Sequence, residues 1–328
     1  VQVRAAIVDA PGLGPRVGAV GMPPSHPGTT LIEVIAAPLN PLDLLIASGN
    51  FHSARHESPY VPGSECVGTV IQSDVFAAGT SVYAECHASP TSPGAFAQQV
   101  RVADVDVLPL PEGVSPISAA AIGNSGVAAY LPLVDIAKLR AGETVLVLGA
   151  TGSVGQLAVQ IAHLRGAGRV IGVARDRTAL DELASLGADA VVALNDDESV
   201  DDLGIRLREA AGSVDVILDC LYGRPLEAAL QACAPRARVV NVGHSAGPVA
   251  AIPAGLLRGR QITLTGFAGI HVPLNDKHLA LTWLWGALAA GALSVAVNAI
   301  PLEDLPSAWR AQAASPHAKY VVASAGAQ

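Results

Sequence analysis

Residues 145–162 read VLVLGATGSVGQLAVQIA, and the fold is decided here. Val145 to Leu148 is an unbroken apolar run of strand length, the pattern of a strand covered on both faces. Gly149, Gly152 and Gly155 follow at three-residue spacing, and a helical run extends from Val154 to Leu164. Small residues let the backbone turn tightly and approach a pyrophosphate, whose charge meets the free N–H groups at the start of the helix. A glycine string alone is a weak signal. Strand, glycine turn, helix and second strand in this order make it a dinucleotide-binding signature.

Working outward, Arg169 to Ala174, Ala190 to Leu194, Val214 to Leu218 and Arg238 to Val242 read as strands. Ala179 to Leu186, Asp201 to Ala211 and Pro225 to Cys233 read as the helices between them. Strands alternating with helices of these lengths predict an α/β fold with a doubly wound parallel sheet of the Rossmann type. The first third has another texture. Short apolar-rich runs at 31–36, 67–71, 81–84 and 98–102, separated by Pro and Gly, predict a compact, barrel-like β domain. A last strand-like run, Ala318 to Ala323, is free to return to that domain and complete it. The expected division is 1–122 completed by 292–328 for the β-rich domain, and 123–291 for the nucleotide domain. Leu279 to Leu302 carries no charge and has the length of a membrane span, but Gly286, Gly291, Asn298 and Pro301 interrupt it. It reads as a buried helix, a turn and a strand.

The 328 residues give room for two domains. With 51% hydrophobic and 15% charged residues, the chain has the opposite of a disordered composition. Twenty basic residues against 28 acidic ones give a formal charge of -8, and no basic tract occurs. Nucleic acid and anionic membrane surfaces are therefore not expected as partners. Four cysteines, at 66, 86, 220 and 233, form no C-x-x-C pair, which argues against a disulfide scaffold. The N-terminus lacks the layout of a signal peptide, so the expected location is the cytoplasm.

About twenty residues past the glycine turn, an NAD site usually presents an acid to the ribose 2′-hydroxyl. Here the strand RVIGVA ends at Ala174, followed by Arg175, Asp176 and Arg177. A small residue removes repulsion against a 2′-phosphate, and a guanidinium grips it in bidentate fashion, which favours NADPH. Asp176 is the competing candidate and would serve NAD if the strand ran two residues further.

Several segments together resemble a zinc-independent medium-chain dehydrogenase/reductase of the quinone oxidoreductase and enoyl reductase branch. Asn40-Pro41-Leu42-Asp43 resembles the N-P-x-D segment of that family, and residues 59–68 (PYVPGSECVG) resemble its P-x-x-P-G-x-E-x-x-G turn. Gly94-Ala95-Phe96-Ala97, Gly126-Val127-Ala128-Ala129-Tyr130, residues 214–219 and residues 239–243 are similar to further family segments. The resemblance covers nearly the whole chain. It implies a GroES-like catalytic domain made from both chain ends, a Rossmann domain between them, and an active-site cleft at their junction. Cofactor contacts are then expected from Asn40 and from Gly149, Ala150, Thr151, Gly152, Ser153, Val154 and Gly155 of the turn. Ala174, Arg175, Arg177, Val242, Gly243 and Phe267 complete the expected set.

A catalytic zinc needs three protein ligands, commonly Cys and His, and an open position. Zinc-dependent relatives carry Cys where this chain has Asn40 and G-H-E where it has Gly63-Ser64-Glu65, so no metal is expected. An improvised site from His52, His56, Cys66, Cys86 and His87 is the minor alternative. Without metal or flavin, the simplest chemistry is direct hydride transfer to a conjugated carbonyl or a quinone, whose anion takes a proton from water. The family's R-x-G-x-Y tyrosine is replaced by Phe51, which has no proton to give. Asn40, His52 and Tyr60 are the remaining candidates for contact with the acceptor. The leading expectation is an NADPH-dependent reductase of quinones, enones or enoyl thioesters. A weakly catalytic NADPH-binding sensor and a zinc-type alcohol dehydrogenase are the alternatives. The run from Gln261 to Gly266 resembles the edge strand through which the family forms dimers, so a homodimer paired near Ile262–Thr265 is expected.

Overall fold

The computed structural model describes residues 2–22, 24–51, 57–89, 92–314 and 317–325. The chain forms two compact units. One comprises Val1–Asn124, Val272–Gly291 and Val295–Gln328; the other comprises Ser125–His271 and Ala292–Ser294.

The first unit opens with an antiparallel pair, β1 (Gln2–Ile7) and β2 (Arg16–Gly21). Its main sheet begins with β3 (Thr29–Pro38), β4 (Glu65–Gln72), β5 (Ser81–Glu85), β6 (Gln99–Ala103) and β7 (Val107–Pro109). β3 pairs antiparallel with both β4 and β6. Ile32 and Val34 join Leu39, Phe96 and Trp309 in one core, while Glu33 between them is exposed, the period-two alternation of a strand. Helix α1 (Pro41–Ala47) follows β3 directly, with Pro41 at its first position where no donor is lost.

The turn into β4 depends on two glycines. Gly63 has φ +112, and a Cβ there would lie 2.7 Å from the Phe96 nitrogen; at Gly94 it would lie 2.6 Å from the Pro62 carbonyl. Backbone bonds from Ala95 N to Gly63 O and from Phe96 N to Pro62 O, each 3.0 Å, hold the two segments in contact. This packing of backbone on backbone delivers Ser64 and Glu65 to the head of β4.

Helix α2 (Pro116–Leu131) contains the division between the units, after Asn124. The second unit then alternates strictly: β8 (Thr144–Leu148), α3 (Ser153–Leu164), β9 (Arg169–Ala174), α4 (Arg177–Glu182), β10 (Ala190–Ala193), α5 (Val200–Ala211), β11 (Val214–Asp219), α6 (Gly223–Leu230), β12 (Cys233–Asn241), α7 (Ala254–Arg260) and β13 (Thr263–Gly266). All neighbouring strands are parallel, in the order β10-β9-β8-β11-β12-β13. The order reverses between β8 and β11, where a crevice opens beyond the carboxyl ends of the strands. Val145 to Leu148 and Val216 to Leu218 have no exposed surface, as their unbroken apolar runs require.

The chain re-enters the first unit through α8 (Leu274–Ala289), β14 (Val297–Ile300), α9 (Leu305–Gln312) and β15 (Lys319–Ala323). β15 lies antiparallel to β3, pairing Val321 with Pro38 and Ala323 with Ala36, and so completes the sheet as expected.

Two readings need correction. The expected helix through Cys233 ends at Leu230, and Cys233 already opens β12, where it pairs with Val214. The expected end of the nucleotide unit at 291 falls at His271, because α8 packs with the first unit. Lys277 Nζ lies 2.6 Å from Glu85 Oε1, and Trp285 packs edge-on against Tyr83 at 5.6 Å. An apolar helix carries no mark in sequence of which core it joins. The charge-free run itself resolves into the end of α8, a turn at Gly291 with φ +66, and β14. The pair β1 and β2, helix α1 and strand β7 have no counterpart in the sequence reading.

A Cβ on Gly155 would lie 2.2 Å from the Gly149 carbonyl oxygen and 2.6 Å from the Ala150 Cα, both of them backbone atoms. Gly155→Ala is therefore expected to destabilise the protein by about 1–3 kcal/mol through overpacking. Thermal unfolding measures this directly; a midpoint equal to the wild type's would contradict the close approach.

Candidate functional site

The glycine turn connects β8 to α3. Gly149 has φ +85 and donates from its N–H to the Val173 carbonyl at 2.8 Å, as Ala150 does at 3.0 Å. A Cβ on Gly149 would meet the Cys220 Cβ at 3.2 Å, so both its φ and the neighbouring loop favour glycine. Gly152 caps α3 in an extended conformation, and the first intrahelical bond runs from Gln156 N to Gly152 O at 2.9 Å. The amides of Ser153, Val154 and Gly155 thus form the open end of the helix, with the positive end of its dipole. Thr151 is buried, and its carbonyl accepts from Gln156 Nε2 at 2.8 Å. Open amides in this arrangement suit an anionic group such as a pyrophosphate.

At the end of β9, Ala174 is buried while Arg175, Asp176 and Arg177 are exposed. The Asp176 side chain accepts from Ala179 N at 3.0 Å and caps α4, which gives the competing candidate a local task. Arg177 donates to Asn195 Oδ1 at 3.1 Å. Arg175 is the guanidinium placed directly after the small residue.

At the carboxyl ends of β11 and β12, Asp219 is fully buried and accepts from Leu221 N (2.9 Å), Tyr222 N (2.8 Å) and Asn241 Nδ2 (2.8 Å). Burial raises its pKa, and these donors oppose the rise. The Asp219 carbonyl accepts from Val242 N at 2.7 Å, and Phe267 N donates to the Asn241 carbonyl at 2.8 Å. A Cβ on Gly243 would lie 2.9 Å from the Cys220 carbonyl oxygen. Val242, Gly243 and Phe267 are therefore brought to one rim of the sheet. Beside them lies a cavity of about 450 Å³ lined by Tyr222, Asn241, His244, Pro248, Leu264, Thr265 and Gly266.

The first unit holds a buried polar cluster. Asn40 is 1% exposed, and its Nδ2 donates to Glu65 Oε1 at 2.8 Å and reaches Ser64 Oγ at 3.2 Å. Its Oδ1 accepts from Lys319 Nζ at 2.5 Å. Glu65 Oε2 accepts from Tyr83 OH and from Asn124 N, each at 2.7 Å. Asp43 Oδ2 accepts from Asn40 N at 2.8 Å. Burial pushes the Asp43 pKa up to about 7. Burial lowers the Lys319 pKa, against the pull of Glu65 and Asp43.

Both ends of the Asn40 amide are engaged within the protein, so this residue organises the cluster instead of presenting a free amide. Tyr60 is 4% exposed within the hydrophobic core, and burial with the nearby Asp43 pushes its pKa up to about 12. That makes it a poor proton donor. His52 lies outside the described residues, as does His56.

Zinc fits poorly here. The residues at the positions in question are an amide and a hydroxyl, and the amide oxygen already faces an ammonium, which repels a dication. The Cys86 thiol is pushed well up by its hydrogen bond with Cys66 and by burial, which disfavours the thiolate a metal needs. His87 is exposed and faces Asp106 at 3.4 Å. Among the described residues no group of three or more His, Cys, Asp or Glu is placed to hold a metal ion.

A Rossmann sheet with an open glycine turn, joined in one chain to a β-rich unit completed by the C-terminus, is an architecture suited to nucleotide-dependent oxidoreduction. Residues 26–112 match the family model described as the alcohol dehydrogenase GroES-like domain, and residues 153–285 match the one described as zinc-binding dehydrogenase. The chain is 33% identical to a quinone oxidoreductase of Mus musculus over 263 residues, 79% of this chain and 75% of that protein. It is 30% identical to the mitochondrial enoyl-[acyl-carrier-protein] reductase of Bos taurus over 285 residues, 83% and 74% of the two. A mycobacterial protein solved in complex with NADPH aligns with a TM-score of 0.84 at 25% identity, covering 98% of this chain and all of that one. The chain belongs to the medium-chain dehydrogenase/reductase family and is an oxidoreductase.

Lys319, Glu65 and Tyr83 escaped the sequence reading as site residues. One signal pointed to the first: the chain has only three lysines, and Lys319 opens an otherwise uncharged strand. Removing a buried cation strands its anionic neighbours. Lys319→Met is therefore expected to cost about 3–5 kcal/mol in urea unfolding. A loss below about 1 kcal/mol, the range of an exposed ion pair, would show that the ammonium does not hold the cluster.

Proposed function

We propose that the protein is an NADPH-dependent reductase that passes a hydride to a quinone or an α,β-unsaturated carbonyl compound. The observation that carries the cofactor choice is the end of β9, where buried Ala174 precedes exposed Arg175 and the acid that follows, Asp176, caps α4. A small residue and a guanidinium suit a 2′-phosphate, whereas an acid aimed at a ribose hydroxyl is the mark of NAD.

The cofactor supplies a hydride when bound. Gly149 to Gly155 would hold its pyrophosphate on the amides of α3, Arg175 and Arg177 would meet the 2′-phosphate, and Val242, Gly243 and Phe267 would line the nicotinamide end. The acceptor half is supported by the chemistry of the available donors. Tyr60 is buried with a pKa of about 12, and Phe51 has no hydroxyl. An acceptor whose anion is delocalised suits such a site, because water is acid enough to protonate it, while an isolated ketone would call for a stronger acid or a Lewis acid. Relatives named quinone oxidoreductase and enoyl-[acyl-carrier-protein] reductase point the same way.

Oxidation of NADPH by a panel of quinones and enones, followed in a stopped-flow instrument, is expected to show turnover with at least one member. No turnover with any would leave a nucleotide-binding sensor as the better reading. Arg175→Ala is expected to weaken NADPH binding by about tenfold or more, the worth of a charge-assisted hydrogen bond, and to leave NADH unchanged. Equal effects on both would refute the 2′-phosphate contact.

A homodimer through β13 belongs to the same reading. β13 is an edge strand, paired only with β12, and such an edge needs cover. Light scattering at micromolar concentration is expected to give twice the chain mass of 33.2 kDa; the mass of one chain would overturn the dimer.

A further inference from the structure

The cluster around Asn40 places two carboxyl groups and one ammonium out of reach of water. Asp43 is 2% exposed, Glu65 1% and Lys319 2%. The charged and titratable groups that face Asp43 come from three directions: Glu65 from β4, Lys319 from β15 and Tyr60 from the segment before β4. With both carboxyls ionised, the buried site would hold a net negative charge, which a low-dielectric interior does not tolerate. A single proton removes the imbalance.

Hydrogen bonding decides where that proton sits. Glu65 receives three donors: Asn40 Nδ2 on Oε1, and Tyr83 OH with Asn124 N on Oε2. Two of these, the Asn40 amide nitrogen and the Asn124 N–H, can only donate and so favour an ionised acceptor, against one such donor on Asp43. Asp43 receives the Asn40 amide on Oδ2 and a bond from Ser64, whose hydroxyl can turn either to give or to take a proton. Lys319 donates to Asn40 Oδ1.

We propose that Asp43 is held as a neutral carboxylic acid in the folded protein below neutral pH, so that the cluster of Asp43, Asn40, Glu65 and Lys319 is uncharged overall, and that loss of this proton is a pH-sensitive switch of the first unit. The proton exchanges with water and requires no cofactor, so the proposal holds whatever the acceptor proves to be. Asp43 acts here through Asn40 and Lys319, as a positioning residue.

The direction of the pH effect is fixed. The folded pKa of Asp43, about 7, lies above its usual value of 3.8, so the native state binds the extra proton between these two values. Stability contributed by this group therefore falls as pH rises from about 4 to about 7, and the full cost of burying the anion remains above that. Three pKa units correspond to a loss of up to roughly a thousandfold in the folding equilibrium. Asp43→Asn is close in shape to the neutral acid and still offers an oxygen to Asn40 N.

Urea unfolding of the wild type and Asp43→Asn at pH 5 and at pH 8.5 (on the order of two units either side of neutrality) compares the two states. The expected result is a midpoint advantage for Asp43→Asn that is clearly larger at the higher pH than at the lower, where the wild type bears only part of the cost. A variant that is equally destabilised at both would overturn the proposal. Should the variant not fold, the ¹³Cγ resonance of Asp43 in the wild type, identified by its contact with the Asn40 backbone amide, gives the answer. Titration near neutrality supports the neutral acid; titration in the ordinary aspartate range overturns it. Neither readout involves turnover, so failure here is separable from failure of the proposed reductase activity.

Discussion

The ammonium of Lys319, 2.5 Å from Asn40 Oδ1, joins residues 279 positions apart and makes the β-rich unit a single body. Without β15, the Ala36–Pro38 end of β3 would lose its antiparallel partner, and Asn40 would lose the group that decides which way its amide points. With Lys319 in place, the oxygen of Asn40 faces the cation and the nitrogen faces Glu65. Glu65 in turn gathers Tyr83 and the start of the Asn124 backbone. A polar network of this kind is stable only when every member is satisfied. The glycine crossing at Gly63 and Gly94 belongs to the same device, since it sets the head of β4 where Glu65 can reach Asn40.

The nucleotide unit rests on a different constraint, the approach of α3 to the turn that feeds it. With no side chain at Gly155, the first turn of α3 can come against the Gly149 carbonyl, and its first amides stand open together. The sheet supplies the rigid floor, with β8 and β11 buried on both faces. After β9, buried Ala174 is followed by exposed Arg175, and Asp176 caps the helix behind it.

Much of this was legible in the sequence because periodicity and punctuation are local. The strands and helices from Thr144 to Ala211 follow the apolar runs and glycines closely, and β15 was recognisable as a strand without a nearby partner. What failed depended on tertiary choice. α8 carries the same apolar composition whichever unit it joins, and the buried pair of Lys277 and Glu85, which ties it to β5, is separated by 192 positions. Cys233 follows an alanine-rich helical pattern, yet pairing with Val214 makes it a strand. At the site, residue types pointed correctly to Asn40 as a special position but not to its role. A buried asparagine looks the same in sequence whether its amide meets a ligand or a lysine from the far end of the chain.

The two units differ in kind: one presents open amides at the start of a helix, the other is built around a buried polar cluster with, among the described residues, no donor set for a catalytic metal. The proposed reaction is direct hydride transfer from NADPH to a conjugated acceptor. Reduction of an enone with NADPH deuterated at the C4 position of one face, with mass and NMR analysis of the product, examines that transfer atom by atom. One deuterium is expected at the β-carbon, from one face of the cofactor only, with the α-hydrogen derived from water. Deuterium lost to solvent, or delivered from both faces, would contradict it.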